Sequence, residues 1–201
     1  HGLVSLLHEK PFAGVNGSGK HNNWSLGTDT GKNLFSPGKT PSQNAQFLLF
    51  LAAFVRGVDK YQELLRCSVA FAGNDHRLGA QEAPPAIISV FLGEELEGIV
   101  DSIVRETGYT EKSKGTLRIG VDVLPPIPKD TTDRNRTSPV AFTGNKFEFR
   151  MPGSSQSIAG PTTVLNTIIA DSLCVFADEL EKAPDFTTAL HELIKRTFKD
   201  H

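Results

Sequence analysis

Apolar positions recur along this chain with two periods, about 3.6 and about 2, and the change from one to the other predicts its elements. Phe47, Leu48, Leu51, Phe54 and Val55 follow the longer period, which predicts a helix over 43–56 with Ser42 as its N-cap and Gly57 as its stop. A second helix over 59–69 turns Leu64 and Leu65 to the core and leaves Lys60, Glu63 and Arg66 in solvent. An amphipathic helix follows over 94–106. Val164, Leu165, Ile168, Ile169, Leu173, Val175 and Phe176 predict a long buried helix over 161–181, which Pro184 breaks. A last helix over 186–199 packs with Leu190, Leu193, Ile194 and Phe198 and leaves His191 on the surface. The shorter period, or a short apolar run, predicts strands over 3–7, 87–92 and 117–124. Two further strand segments alternate polar with apolar residues. Over 21–25, His21, Asn23 and Ser25 share one face; over 146–150, Lys146, Glu148 and Arg150 share one face, with Phe147 and Phe149 on the other. Residues 27–41 and 71–85 carry no convincing period and read as loops.

Composition narrows the function classes. With 38% hydrophobic and 22% charged residues and a net charge of −2, the chain is that of an ordinary soluble globular protein with no basic footprint for nucleic acid. The longest apolar run, 47–55, is far short of the ~20 residues a spanning helix needs, so no membrane partner is expected. Only two cysteines occur, Cys67 and Cys174, each in an apolar helical pattern, which suits core positions in a reducing, cytoplasmic compartment. Three glycosylation sequons, beginning at Asn16, Asn23 and Asn135, would suggest a secreted protein. All three fall inside the segments that carry the candidate chemistry, where a glycan would block close backbone approach, and are read as coincidence.

That chemistry centres on residues 9–26, EKPFAGVNGSGKHNNWSL. Two glycines beside an Asn let the backbone of Asn16-Gly17-Ser18-Gly19 take positive φ and turn its N–H groups to an anionic ligand. An ordinary tight turn before a half-exposed strand fits the same residues. For Arg77 and Glu82, within GNDHRLGAQEAPP (73–85), a surface ion pair is the alternative. For Lys146, Glu148 and Arg150 it is an exposed ladder of ion pairs.

Four segments in one order, NGSGKHNNWSL, GNDHRLGAQEAPP, DRNRTSPVAF (133–142) and GNKFEFRMPG (144–153), resemble the signature motifs of glutamine synthetases, and the continuation Lys20-His21-Asn22-Asn23-Trp24 resembles the type III class. The resemblance implies a partial catalytic domain over 1–201, with active-site loops and strands over 1–153 and a helical part over 154–201. The implied fold is α+β, an antiparallel half-barrel sheet with helices packed outside. The implied reaction is ligation of ammonia to glutamate through γ-glutamyl phosphate, with ATP as co-substrate and Mg2+ or Mn2+ as cofactor, in a homo-oligomeric ring. By the same resemblance His21 and Glu148 bind one metal, and Asn16, Gly17, Arg77 and Arg150 bind glutamate. Asn23, Ser25, Arg136 and Lys146 address ATP, and Glu82 and Arg136 act in catalysis. Two departures stand out: Lys146 occupies a position that is often Arg, and Ala141 one that usually holds a phosphate-binding Arg. The remaining metal carboxylates are expected upstream of residue 1, which implies that these 201 residues alone are inactive. A ligase for another amine, or a non-catalytic structural relative, are the alternatives.

Overall fold

The structure, a computed structural model, describes residues 2–5, 8–15, 17–80, 83–109 and 138–201, with the backbone of two short strands between the last two segments. In chain order the elements are β1 (Asn22–Trp24), α1 (Ala45–Lys60), α2 (Gln62–Cys67), α3 (Ala72–Arg77), β2 (Val90–Phe91), α4 (Glu94–Arg105), β3 (Thr116–Leu117), β4 (Ile127–Pro128), β5 (Val140–Phe142), β6 (Phe147–Phe149), α5 (Ala159–Leu180) and α6 (Phe186–Asp200). Four strands form one sheet in the order β1-β6-β5-β2, and β3 and β4 pair separately. The α+β class holds, but the sheet is mixed rather than antiparallel, because β2 runs parallel to β5. It is also open and built of short strands. β5 and β6 are joined by a tight hairpin in which Gly144 takes φ 90° and Thr143 N–H donates to Lys146 O at 2.8 Å.

One face of the sheet makes the core. Phe147 stacks on Phe54 of α1, with ring centroids 3.5 Å apart, and Phe35 meets Phe147 edge-on at 5.2 Å. Trp24 closes the group, 5.7 Å from Phe54, and its indole N–H donates to Asn166 of α5 at 2.8 Å. Asn22, 2% exposed, donates to Thr162 of the same helix, so β1 is tied to α5 through both of its inward side chains. Burial of these aromatics supplies the main stabilisation, since each removes on the order of 150–250 Å2 from water.

The helices follow the apolar pattern with instructive exceptions. Asn44, not Ser42, caps α1 by accepting from Phe47 N–H, because residues 41–43 form a separate 3-10 turn. Gly57 does not end α1. It lies inside the helix against α5, where a Cβ would meet Ile169 at 2.9 Å and the Ile168 carbonyl at 3.1 Å, so its small size permits the close crossing. The second helix is confined to Gln62–Cys67 and buries Leu65, while Leu64 is 51% exposed. Both cysteines are exposed, and Val175 is 40% exposed, on the outer side of α5. α5 is long and apolar enough, by length and composition, to cross a bilayer, which the apolar-run test overlooked; here Leu165, Ile168, Ile169 and Phe176 lie in the core. Leu3 and Val4 form no strand and are 90% and 82% exposed, since no neighbour among the described residues pairs with that segment. The strand predicted over 87–92 shrinks to Val90–Phe91, and a short helix, α3, occupies part of the segment read as loop. Of the strand predicted over 117–124, residues 118–124 lie outside the described residues.

Candidate functional site

The site lies on the sheet face opposite the aromatic core. β1 and β6 pair with Asn23 opposite Glu148, so the antiparallel register sets His21 across from Arg150 on the same face. His21 Nδ1 stands 3.5 Å from Glu148 Oε2, and Arg150 Nε stands 3.2 Å from that same oxygen. One carboxylate oxygen therefore faces both an imidazole and a guanidinium, brought together from residues more than a hundred positions apart. Glu148 and Arg150 are only 8% and 4% exposed, which rules out a solvated ladder of ion pairs. Polar groups this buried need partners, so each fixes the other in place. The His21 side chain, 56% exposed, is the open end of the cluster.

The other strand-borne candidates line the same edge. Asn23 is exposed, and its amide N–H reaches no farther than the His21 carbonyl at 3.5 Å. Ser25 Oγ lies 3.1 Å from Asn33 Oδ1 and from the Asn145 carbonyl, which fastens the end of β1 to the β5–β6 hairpin. Lys146 is half-buried just before β6. Ala141, opposite Glu148 and 1% exposed, places no charge there.

The glycine loop differs from expectation. Neither Gly17 nor Gly19 takes a positive φ. Ser18 N–H donates to the Glu9 carbonyl at 2.6 Å and Lys20 N–H to the Pro152 carbonyl at 2.9 Å, so the loop lies along residues 151–153 and spends two of its donors on the chain itself. Its glycines serve close approach. A Cβ on Gly17 would sit 2.2 Å from Arg77 Cγ, and one on Gly19 would sit 2.6 Å from an Arg77 guanidinium nitrogen, which leaves room for hydrogen alone.

Arg77 thus runs directly beneath the loop. It is 3% exposed, with Nε donating to Asn74 Oδ1 at 2.9 Å and Nη2 to the Met151 and Pro152 carbonyls at 2.6 and 3.3 Å. Burial pushes its pKa below the ordinary arginine value, and the nearby Glu9 carboxylate opposes that shift; an arginine so high in pKa stays charged regardless. Asn74, fully buried, donates to the Val69 and Met151 carbonyls at 2.7 and 3.0 Å. Asn74, Glu9 and Gln156 are the polar residues that motif reading left without a role. The available signal was a polar side chain within a glycine-rich segment that has no surface to face. Asn16, Glu82 and Arg136 lie outside the described residues.

The pair His21–Glu148 fits a divalent cation in one respect: donors 3.5 Å apart lie within the span of two metal–ligand bonds of about 2.0–2.6 Å. Among the described residues no group of three or more metal-ligating side chains forms, so the pair would need further oxygens from elsewhere.

One face of the open α+β sheet thus holds a carboxylate, an imidazole and a buried arginine, and a second buried arginine, Arg77 of α3, lies beneath the glycine loop. No family model matches the chain. It is 58% identical over its whole length to a type-3 glutamine synthetase from Dictyostelium discoideum and 51% identical, again over its whole length, to a glutamine synthetase from Bacteroides fragilis (strain YCH46). Over 79% of its length it is 54% identical to a glutamine synthetase from Butyrivibrio fibrisolvens. The chain belongs to the glutamine synthetase family, in its type III class. It spans 28% of the length of the first two relatives and 22% of the third.

Proposed function

We propose that this chain is the C-terminal part of the catalytic domain of an ATP-dependent glutamate–ammonia ligase that works in the cytoplasm as a homo-oligomeric ring. The observation that carries the reading is the convergence of His21 and Arg150 on one oxygen of the buried Glu148 carboxylate, from two motifs far apart in sequence. A carboxylate is a poor electrophile, so joining it to ammonia requires activation of the glutamate side chain by phosphoryl transfer from ATP, followed by displacement of phosphate. Both steps concentrate negative charge, and preorganised positive groups are the main means of lowering such barriers.

His21 and Glu148 would hold a divalent cation, Mg2+ or Mn2+, with remaining positions filled by water and ATP oxygens; when bound it supplies charge neutralisation for the phosphates. Arg150, locked beside Glu148, would address glutamate. Arg77, under the glycine loop, would support the α-carboxylate site together with Asn16 and Gly17. Asn23, Ser25, Lys146 and Arg136 would face ATP, and Glu82 with Arg136 would serve the chemical step. Phosphate release by the full-length protein, measured with glutamate and ATP and with either ammonium or a polyamine as acceptor, tests the reading. Release that depends on glutamate and ammonium supports it; release with polyamine alone assigns a different acceptor, and no release in either case removes the ligase reading. Within it, Arg150→Ala is expected to cost at least tenfold in kcat/KM for glutamate with a smaller change for ATP.

A further inference from the structure

Glu9 belongs to no assigned role, yet it sits where three motif segments meet. It is 6% exposed. Its carbonyl accepts from Ser18 N–H in the glycine loop at 2.6 Å, and its Oε1 accepts from Ser155 Oγ at 2.6 Å and from Ser155 N–H at 3.1 Å, with Ser154 Oγ at 3.5 Å. The carboxylate also presses on two glycines: a Cβ at Gly153 would lie 2.7 Å from Oε1, and one at Gly73 would lie 3.2 Å from Oε2. Arg77, which supports the same junction from below, feels its charge. Backbone and side chain of one residue thus join the loop at 17–19, the turn at 153–155 and the start of α3.

We propose that Glu9 is a positioning residue: its charged carboxylate clasps the glycine loop to the turn after β6, and so sets the loop in register with Arg77 and with the strand that bears Glu148 and Arg150. A carboxylate suits this task because a charged acceptor makes stronger hydrogen bonds to hydroxyl and amide donors than a neutral amide does. Glutamine keeps the size but brings two donors into a cavity already lined by donors, so the exchange should open the clasp rather than merely weaken it. Two other contacts join the same segments, Lys20 N–H to the Pro152 carbonyl at 2.9 Å and Lys20 Nζ to the Gln156 carbonyl, but neither supplies a charged acceptor for the Ser155 hydroxyl and N–H, which meet Glu9. The clasp stands on these contacts alone; its effect on glutamate use rests on the ligase reading above.

The test compares amide hydrogen exchange in the full-length protein for wild type, Glu9→Gln, Glu9→Asp and Ser155→Ala. Glu9→Gln is expected to speed exchange in peptides covering 17–20 and 153–156 at least tenfold, with α5 and α6 unchanged. Ser155→Ala should give a smaller rise in the same two peptides, and Glu9→Asp should fall nearer to wild type than Glu9→Gln. Unchanged exchange in both peptides for Glu9→Gln and Ser155→Ala, or an equal rise throughout α5 and α6, overturns the clasp. Kinetics of the same variants decide its consequence: kcat/KM for glutamate falls about tenfold in Glu9→Gln while KM for ATP stays within twofold. If the wild-type protein shows no ligation at all while the exchange pattern appears, the clasp stands and the ligase reading fails.

Discussion

The layer built by α1, α5 and α6 and the layer of motif segments around residues 9–20, 72–77 and 151–156 are held together by different physics. In the first, Phe54, Leu51, Leu165, Ile168 and Leu193, each no more than about a fiftieth exposed, interlock without any need for a specific polar partner. In the second, buried polar residues are held by specific partners: Asn74 and Arg77 bond each other and both donate to the Met151 carbonyl, Glu9 accepts from Ser155, and Arg150 pairs with Glu148. Apolar packing is additive and forgiving of volume-conserving change, whereas a buried polar network fails when a single member is lost. The helical layer therefore sets how stable the protein is, and the polar layer sets how accurately the site is shaped.

The largest effect should separate the layers by stability. Phe54→Ala deletes the ring stacked on Phe147 and is expected to cost about 3–5 kcal/mol, read as a lower denaturant midpoint at unchanged slope. If it costs under about 1 kcal/mol, the aromatic cluster is not the core of this layer. Next, Arg77→Ala removes the donors to the Met151 and Pro152 carbonyls and should destabilise by roughly 1–3 kcal/mol while impairing glutamate use far more than a core variant of equal cost. Equal impairment by the two would mean that the loop layer has no separate part in the site.

A sharper probe is Gly17→Ala, whose new methyl group must displace Arg77; overpacking of this kind costs roughly 1–3 kcal/mol. Because both changes act on one contact, Gly17→Ala combined with Arg77→Ala should cost less than the sum of the two, and strict additivity in the double-mutant cycle would contradict the close approach. Smaller again, Asp185→Ala removes the acceptor for Thr187 N–H at the start of α6 and should cost about 1 kcal/mol without altering any site property.

The smallest effect is a pH dependence confined to the polar layer. Burial alone would raise the Glu9 carboxyl, but the Ser155 hydroxyl and N–H, with Ser154, outweigh it and hold the carboxyl below its ordinary value of 4.5. A depressed carboxyl stabilises the fold fully above its unfolded value and loses that contribution as pH falls through the folded value. The stability difference between wild type and Glu9→Gln should therefore be flat at neutral pH and shrink only below about 4.5. A difference that grows on acidification would reverse the sign and exclude the charged clasp.

What this chain's sequence determines by itself is what repeats locally. The 3.6-residue period of α5 and α6 and the two-residue alternation around Glu148 and at His21, Asn23 and Ser25 emerge in the structure close to where they were expected, because each depends on neighbours within a few residues. The same alternation, joined to an antiparallel register, brings His21 and Glu148 together. Tertiary structure decided the rest. Gly57 reads as a stop signal but is a contact point for α5, Gly17 and Gly19 read as positive-φ glycines of an anion-binding loop but make room for Arg77, and β2 joins the sheet parallel instead of antiparallel. Glu9, the residue at the centre of the loop junction, carries no local signal beyond a polar side chain beside a glycine-rich segment, since a carboxylate that is solvated in most contexts becomes a clasp only when Ser155, distant in sequence, turns its hydroxyl and N–H toward it. Periodicity reports which side of an element faces the core; which distant polar group completes a buried one is settled only when the chain has folded and water has left.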